Sequence, residues 1–311
     1  FFIYPAVDEN TKQEIQSVSN DVEVLNVKTE NDALEIIGDV DAMYGTITPT
    51  LLARAKKLRW IQTPMAGLEH YMFPALIESD VTISNMQGIY SDQIADHVMG
   101  YVLMFARGFH IYLRRQLERR WQGDVPVIHL ADATLGVIGL GGIGMAVAKR
   151  GAAAEMRVIA VDAVKTEKPD FVAALWGNDQ LGDLLGESDF VVSCVPHTPE
   201  TVKLIGAAQL KQMKKSAYLI NISRGVVVDL PALTSALQRG EIAGAGLDVF
   251  ETEPLPSDHP LWGMENVIIT PHTAGVAPHT AKRRTEVLTE NLRRFIAGEP
   301  LRNVVDKRRW C

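Results

Sequence analysis

Residues 134–162 read TLGVIGLGGIGMAVAKRGAAAEMRVIAVD. The apolar run TLGVIGL predicts a strand, the alanine-rich GGIGMAVAKRGAAAE a helix, and MRVIAVD a second strand. Where strand meets helix stand Gly139, Gly141 and Gly144 in the spacing G-x-G-x-x-G, with Leu140, Gly142 and Ile143 filling the loop. The spacing alone carries little, because glycines are common; the strand before it and the helix after it make it specific. Gly139 would allow the tight turn, Gly141 the close approach of a pyrophosphate, and Gly144 close packing of helix on strand. The helix start would offer its unpaired N–H groups and positive dipole end to the phosphates. Asp162 closes the second strand eighteen residues after Gly144, where a carboxylate would accept hydrogen bonds from the adenosine ribose hydroxyls. The same carboxylate would repel a 2′-phosphate, and no arginine directly follows it. The expected cofactor is therefore NAD rather than NADP, with Lys165 the one nearby cation.

Working outward, SDFVVSCVP, SAYLINIS, GAGLDVF and NVIITPH are four more strand candidates. Their apolar runs are continuous rather than alternating, as a parallel sheet covered on both faces requires. Upstream, FFIYPAV (1–7), VEVLNV (22–27), AMYGTIT (42–48), LRWIQT (58–63) and VTISNM (81–86) alternate with segments of helical spacing such as ENTKQEIQSV and PTLLARAKKL. That alternation reads as a second set of βα units. Ser91 to about Glu118 predicts one long helix, capped by Ser91 or Asp92, whose apolar first half suggests burial between two bodies.

The chain has 311 residues, on the order of two domains by the usual length prior. Hydrophobic residues make up 47% and charged ones 22%, an ordinary globular mixture. A formal net charge of −7 argues against a duplex nucleic-acid binder, which would show a basic footprint. The run Arg114, Arg115, Arg119, Arg120 and Trp121 reads instead as a subunit arm. Two cysteines, Cys194 and Cys311, make no disulfide framework. The opening FFIYPAVDENTK lacks a basic n-region, and no stretch approaches ~18 uninterrupted apolar residues. A cytoplasmic protein without signal peptide, membrane span, metal site or nucleic-acid partner is expected.

In an α/β sheet the chemistry belongs at the C-terminal ends of the strands. AYLINISRG puts Arg224 just past one strand, GLDVFETEP puts Asp248, Glu251 and Glu253 at the next, and NVIITPHTAG puts His272 at a third. An arginine, a carboxylate and a histidine beside a nicotinamide form the minimum set for reducing a 2-oxo acid. A guanidinium holds carboxylate and carbonyl oxygens better than an ammonium. An imidazolium can protonate the developing alkoxide. A carboxylate beside that imidazole favours its charged form and fixes its tautomer.

The stretches GLGGIG, NISRG, LDVFETEPLP and TPHTAG, in this order and spacing, resemble the signature segments of the D-isomer-specific 2-hydroxyacid dehydrogenase family. IQTPMAGLEH (61–70) and SDQIADHVMG (91–100) are also similar to family segments, so the likeness spans nearly the whole chain. It implies catalytic roles for Arg224 (substrate carboxylate and carbonyl), Glu253 (support of the histidine) and His272 (acid/base). Asp248 would hold the nicotinamide carboxamide. The implied cofactor-binding set is Gly139, Gly141, Gly142, Ile143, Gly144, Asp162, Pro196, Thr201, Asp248 and Gly275. Backbone N–H groups of Ala66 and Gly67 would meet the substrate carboxylate, and Met43 and Tyr44 would help line its pocket, together with nearby Met65, Leu68 and Met86. The implied fold is α/β: a Rossmann-type doubly wound parallel sheet over 91–282 and a smaller flavodoxin-like α/β substrate domain over 1–90, rejoined by 283–311. The site would lie in a cleft between them, and a homodimer is expected, with Trp121 reaching toward its partner.

One departure from the family pattern is Asp96, where family members often carry Glu; another is His279, which takes no role. His70, His97, His110, His129, His197, His259 and His279 read as ordinary surface, helix or loop histidines, and Cys194 as a buried strand residue rather than a nucleophile. Two alternatives stand beside NAD-dependent 2-oxo acid reduction. One is phosphoglycerate oxidation within the same class, for which the C-terminus leaves no room for an added regulatory domain. The other is an NAD-sensing, corepressor-like binding protein without catalysis.

Overall fold

The structure, a computed structural model, describes residues 1–310; Cys311 lies outside the described residues. The chain divides into two compact units: Phe1–Ile89 together with the chain from Ala277 onward, and Tyr90–Val276. The division falls just before the final helix, which is continuous from Thr280, so the whole of that helix counts with the first unit rather than from about residue 283.

The first unit carries β1 (Phe2–Tyr4), α1 (Glu9–Gln16), β2 (Leu25–Asn26), α2 (Glu30–Ile36), β3 (Ala42–Gly45), α3 (Pro49–Arg54), β4 (Trp60–Gln62), α4 (Pro74–Glu78) and β5 (Thr82–Ser84). The strands pair in parallel in the order β2-β1-β3-β4-β5, the flavodoxin-like arrangement. Asp8, Thr29 and Thr48 cap α1, α2 and α3 with side-chain oxygens, satisfying N–H groups that a helix start leaves unpaired. All five strands fall where the apolar runs place them.

The second unit opens with α5 (Ser91–Ala106) and α6 (Phe109–Leu117). Two helices therefore replace the single one expected over 91–118. The break is at Gly108, whose φ of +69° is left-handed and where a Cβ would stand 2.5 Å from Val125 Cγ1. Tyr90, rather than Ser91 or Asp92, holds the N-cap position of α5, and it makes no side-chain capping bond to the helix. Then follow β6 (Thr134–Ile138), α7 (Gly142–Ala153), β7 (Arg157–Val161), β8 (Ala174–Trp176), α8 (Leu181–Glu187), β9 (Phe190–Ser193), α9 (Ala207–Gln212), β10 (Tyr218–Asn221), α10 (Leu230–Gln238), β11 (Gly244–Leu247) and β12 (Val267–Ile269). The chain closes with α11 (Thr280–Ala297), which belongs to the first unit.

The seven strands run parallel in the order β12-β11-β10-β9-β6-β7-β8, so the strand order reverses between β6 and β9. This is the doubly wound dinucleotide-binding topology, and ligands of such sheets sit at that reversal. Both faces are covered. Leu135, Val137, Val158, Val192 and Ile220 pack in one apolar cluster with residues of α5 and α7, and Ile138, Ile159, Val191, Leu219 and Leu247 pack in another with residues of α8, α9 and α10. The alternation of neighbours between the two clusters explains why the strands read as unbroken apolar runs. The apolar side of α5 is buried within its own unit, in the first of these clusters.

In the first unit α11 is bolted to the sheet by polar side chains. Asn291, fully buried, donates to Gln62 Oε1 at 2.8 Å and to Arg302 O at 3.0 Å, and accepts from Arg302 N at 2.8 Å. Ser84 Oγ donates to the same Gln62 oxygen and accepts from Trp60 Nε1. No helix of the described residues is long and apolar enough to cross a membrane.

Candidate active site

The glycine loop follows β6 directly. Gly139 has a φ of +87°, and its N–H donates to Val161 O at 2.8 Å, which ties the turn to β7. A Cβ on Gly144 would lie 1.9 Å from Gly139 O, so only glycine lets α7 start this close to the strand. Gly141, the N-cap residue of α7, is different: a Cβ there would meet nothing within 4 Å. Its lack of a side chain is not explained by packing within the chain, and it fits the approach of a ligand to the backbone. Gly142 and Ile143 open the helix.

Asp162, just past β7, is woven into this loop. Its Oδ2 accepts from Leu140 N at 2.7 Å, and its Oδ1 accepts from Val164 N at 2.9 Å and Lys165 N at 2.8 Å. Burial works against ionisation, but the bonds from Lys165, Val164 and Leu140, with the Lys165 charge, outweigh it and hold the carboxyl below its ordinary value. A negative charge thus stands beside the loop that would hold the cofactor. Pro196 and Thr201 lie in the turn after β9, where Thr201 Oγ1 donates to Pro196 O at 2.7 Å. Cys194, just after β9, has its thiol pushed up to about 12 by burial, which leaves no reactive thiolate near neutral pH.

Arg224, Asp248 and His272 follow three adjacent strands, since Asn221, Leu247 and Ile269 are in register across β10, β11 and β12. The Arg224 segment is held by buried Asn221, which donates to Arg224 O at 3.1 Å and accepts from Ser223 N and Oγ. Gly225 lets the next loop close in: a Cβ there would lie 1.8 Å from Phe250 C and 2.3 Å from Glu251 N. That backbone contact lays the Asp248–Glu253 loop against the Arg224 turn.

His272 Nδ1 meets Glu253 Oε2 at 2.8 Å, while Glu253 Oε1 accepts from Phe250 N at 2.9 Å. A carboxylate oxygen accepts, so Nδ1 carries the proton of this bond and Nε2 points its chemistry elsewhere. His272 has a φ of +53°, a left-handed conformation uncommon for a residue with a Cβ and found where the surroundings enforce it. Its side chain is half exposed. Glu251 makes no such bond; of the two glutamates, Glu253 is the histidine's partner.

Asp248 is 1% exposed, and both its oxygens act as acceptors: Oδ1 from Thr270 Oγ1 and Thr273 N, Oδ2 from Ala274 N. Its main-chain oxygen accepts from His272 N at 2.8 Å. Gly275 O, three residues beyond His272, accepts from Gln93 Nε2 at 2.6 Å. Sequence reasoning missed three members of this network: Thr270, His97 and Tyr101. His97, read as an ordinary helix histidine, places Nε2 3.0 Å from Thr270 Oγ1, and Tyr101 places its hydroxyl 2.5 Å from the same atom. The i, i+4 spacing of His97 and Tyr101 on one helix face was the available signal.

In the first unit, Ala66 and Gly67 lie in the loop after β4. That loop is pinned by its carbonyls: Met65 O accepts from Met86 N and Thr63 Oγ1, and Ala66 O accepts from Asn85 Nδ2 at 2.9 Å. Tyr44 is buried on β3. Met43 beside it is wholly buried in that unit's apolar core with Ile61 and Ile83, which corrects its expected place in a pocket lining: it is a packing residue. Leu68 and Met86 are buried likewise, whereas Met65 is exposed.

Comparison with known proteins agrees with this geometry. Residues 99–274 match the family described as D-isomer specific 2-hydroxyacid dehydrogenase, NAD binding domain. The glyoxylate reductase of Korarchaeum cryptofilum (strain OPF8) is 38% identical over 285 residues, covering 88% of this chain and 85% of that protein. A D-isomer specific 2-hydroxyacid dehydrogenase from Xanthobacter autotrophicus Py2, solved with NADPH and MES, superposes with a TM-score of 0.87 at 33% identity, covering 100% of this chain and 98% of that one. The D-lactate dehydrogenase of Aquifex aeolicus, solved with NAD and lactic acid, gives 0.82 at 27% identity, covering 98% and 99%. A match over more than half of the chain, with relatives 38% and 33% identical along most of their length, settles the family: the chain belongs to the D-isomer specific 2-hydroxyacid dehydrogenases, as an NAD(P)-dependent oxidoreductase acting on CH–OH donors.

Proposed function

We propose that the protein is an NAD-dependent reductase of small 2-oxo acids, glyoxylate and hydroxypyruvate among them, and forms the D-alcohol where the product is chiral. The observation that carries this reading is the 2.8 Å bond between His272 Nδ1 and Glu253 Oε2, with Glu253 beyond the strand next to that of Arg224 and His272 beyond the following one. A nicotinamide held by the glycine loop would supply the hydride that C2 of the oxo acid takes up. Arg224 holds the substrate's carboxylate and carbonyl oxygens, so that charge developing on the carbonyl oxygen meets a guanidinium. His272, kept in one tautomer by Glu253, delivers the Nε2 proton to that oxygen, and the C=O becomes CH–OH.

Asp248 fits the carboxamide end of the cofactor, because Ala274 N leaves Oδ2 with acceptor capacity for an amide N–H. The preference for NAD rests on Asp162, whose charge is held in place by three backbone N–H groups where a 2′-phosphate would come to lie. The glyoxylate reductase likeness supports the substrate class. A homodimer is supported by α6, where Phe109, Leu113 and Leu117 make an exposed apolar stripe at i, i+4 and i+8, with Trp121 fully exposed beyond it. A steady-state panel of glyoxylate, hydroxypyruvate, pyruvate, 2-oxoisocaproate, phenylpyruvate and phosphohydroxypyruvate with NADH tests the assignment. Turnover of the small oxo acids is expected, and turnover of phosphohydroxypyruvate alone would overturn the substrate class.

A further inference from the structure

Thr270, directly after β12, is the node of a partly buried circuit. Its hydroxyl oxygen lies 2.5 Å from Asp248 Oδ1, 2.5 Å from the Tyr101 hydroxyl and 3.0 Å from His97 Nε2. A hydroxyl has one proton to give and two lone pairs to receive. Both Asp248 oxygens already serve as acceptors for the Thr273 and Ala274 N–H groups, so the Thr270 proton goes to Oδ1. The two remaining lone pairs must then receive donors. Tyr101 gives its phenolic proton, and His97 gives the proton on Nε2, which fixes its tautomer. Burial pushes the Tyr101 phenol well up, the bond to Thr270 opposes this, and the Asp248 charge adds to it, so the donating proton stays on.

The rest of the arrangement is built to hold these two donors. His97 and Tyr101 stand one turn apart on α5 with their rings edge to face, 4.9 Å between centroids. Tyr101 lies across Gly246 of β11, where a Cβ would come 2.8 Å from the ring's Cγ. At the other end, the Asp248 carboxylate receives Thr273 and Ala274, and its main chain receives His272 N. The left-handed turn that presents His272 therefore hangs on the orientation of Asp248, and that orientation hangs on Thr270.

We propose that His97 is a positioning residue: by donating to the Thr270 hydroxyl it fixes the orientation of the Asp248 carboxylate and, through it, the turn that carries His272. The proposal rests on the reading that Asp248 and His272 serve the hydride-transfer site. His97 itself touches neither the acid/base nitrogen nor, on this geometry, the substrate. A packing role alone would be met by leucine; the circuit asks for a donor.

The test compares His97→Leu, which removes the donor, with His97→Gln, which returns an N–H near the position of Nε2. Thr270→Val, alone and combined with His97→Leu, removes the node while keeping its shape. Backbone amide exchange over residues 270–276 is followed in the protein without substrate, beside steady-state kinetics. His97→Leu should speed exchange at Thr273 and Ala274 and lower kcat by about tenfold with the KM for the oxo acid little moved. His97→Gln should restore both, and the double variant should be no worse than Thr270→Val. Equal behaviour of the leucine and glutamine variants, unchanged exchange in His97→Leu, or additive losses in the double variant would overturn the proposal. Should His97→Leu fold poorly, the glutamine variant and Thr270→Val decide the same question. A wild type inactive toward every 2-oxo acid would instead contradict the functional reading, and the exchange comparison would still decide the circuit.

Discussion

Replacing Gly225 by alanine puts the joint between the arginine turn and the glutamate loop under direct test. The added methyl would stand 1.8 Å from the carbonyl carbon of Phe250, 2.0 Å from its oxygen and 2.3 Å from Glu251 N, all main-chain atoms that no rotamer change can move aside. Opening the closest approach to ordinary contact at 3.4 Å displaces one backbone segment from the other by about 1.6 Å. Arg224 is the residue before Gly225, and Glu253 is two residues beyond Glu251, so the shift falls between the proposed substrate cation, Arg224, and the hydrogen-bond partner of His272. A misplacement of about 1 Å costs on the order of 100-fold in rate, or about 2.7 kcal/mol of barrier. Overpacking would add about 1–3 kcal/mol of lost stability. The assay is kcat/KM for glyoxylate with NADH, paired with a urea denaturation curve to separate misplacement from unfolding. Gly225→Ala is expected to stay folded and to lose about 100-fold or more in kcat/KM. Near-normal activity in a folded variant would refute the argument that this contact aligns the site.

Two further perturbations address the cofactor and the first unit. Asp162→Ser should lower the ratio of kcat/KM with NADH to that with NADPH, because the charge facing a 2′-phosphate is gone; an unchanged ratio would contradict that role. The same residue bears on acid stability. Its carboxyl is held below the ordinary value in the fold, so its stabilising share is full above the ordinary aspartate range and is lost as pH falls through the lowered value; denaturation midpoints of Asp162→Asn should show a weaker fall on acidification. Asn291→Leu leaves Arg302 N and O without their buried partner and should cost about 3 kcal/mol, read as a lower urea midpoint by the fluorescence of Trp60, whose ring lies 5.2 Å from that of Phe295 on the same helix.

Where hydrophobic burial dictates structure, the sequence was legible. Five strands of the first sheet and six of the second appear as apolar runs, and most of those strands are buried on both faces. Strand β8 escaped notice: three residues, ALW, only half buried and paired to β7 alone, leave too short and too mixed a pattern. The helix break at Gly108 was hidden by apolar spacing that continues across it, and only the left-handed φ and the nearby Val125 reveal it. At the site, the places of Arg224, Asp248 and His272 just past strand ends were readable from the apolar runs before them, whereas the pairing of His272 with Glu253 rather than Glu251 was implied only by the likeness to family segments. What supports them was not readable. The side chains that meet the Thr270 hydroxyl, which in turn bonds Asp248, come from a helix more than 140 residues earlier than Asp248 in the chain, and no local pattern records which hydroxyl they meet. Met43 shows the opposite limit: an apolar residue near a strand end looks the same whether it lines a pocket or fills a core.

The central claim is that His272 protonates a 2-oxo acid as the nicotinamide reduces it. The most direct measurement is NADH-dependent turnover of glyoxylate and hydroxypyruvate by the wild type and by His272→Asn, with NADH affinity measured in both. The account predicts a working wild type and a variant that binds NADH normally yet turns over on the order of 100-fold to 10,000-fold more slowly. A His272→Asn enzyme with near-normal turnover would contradict it.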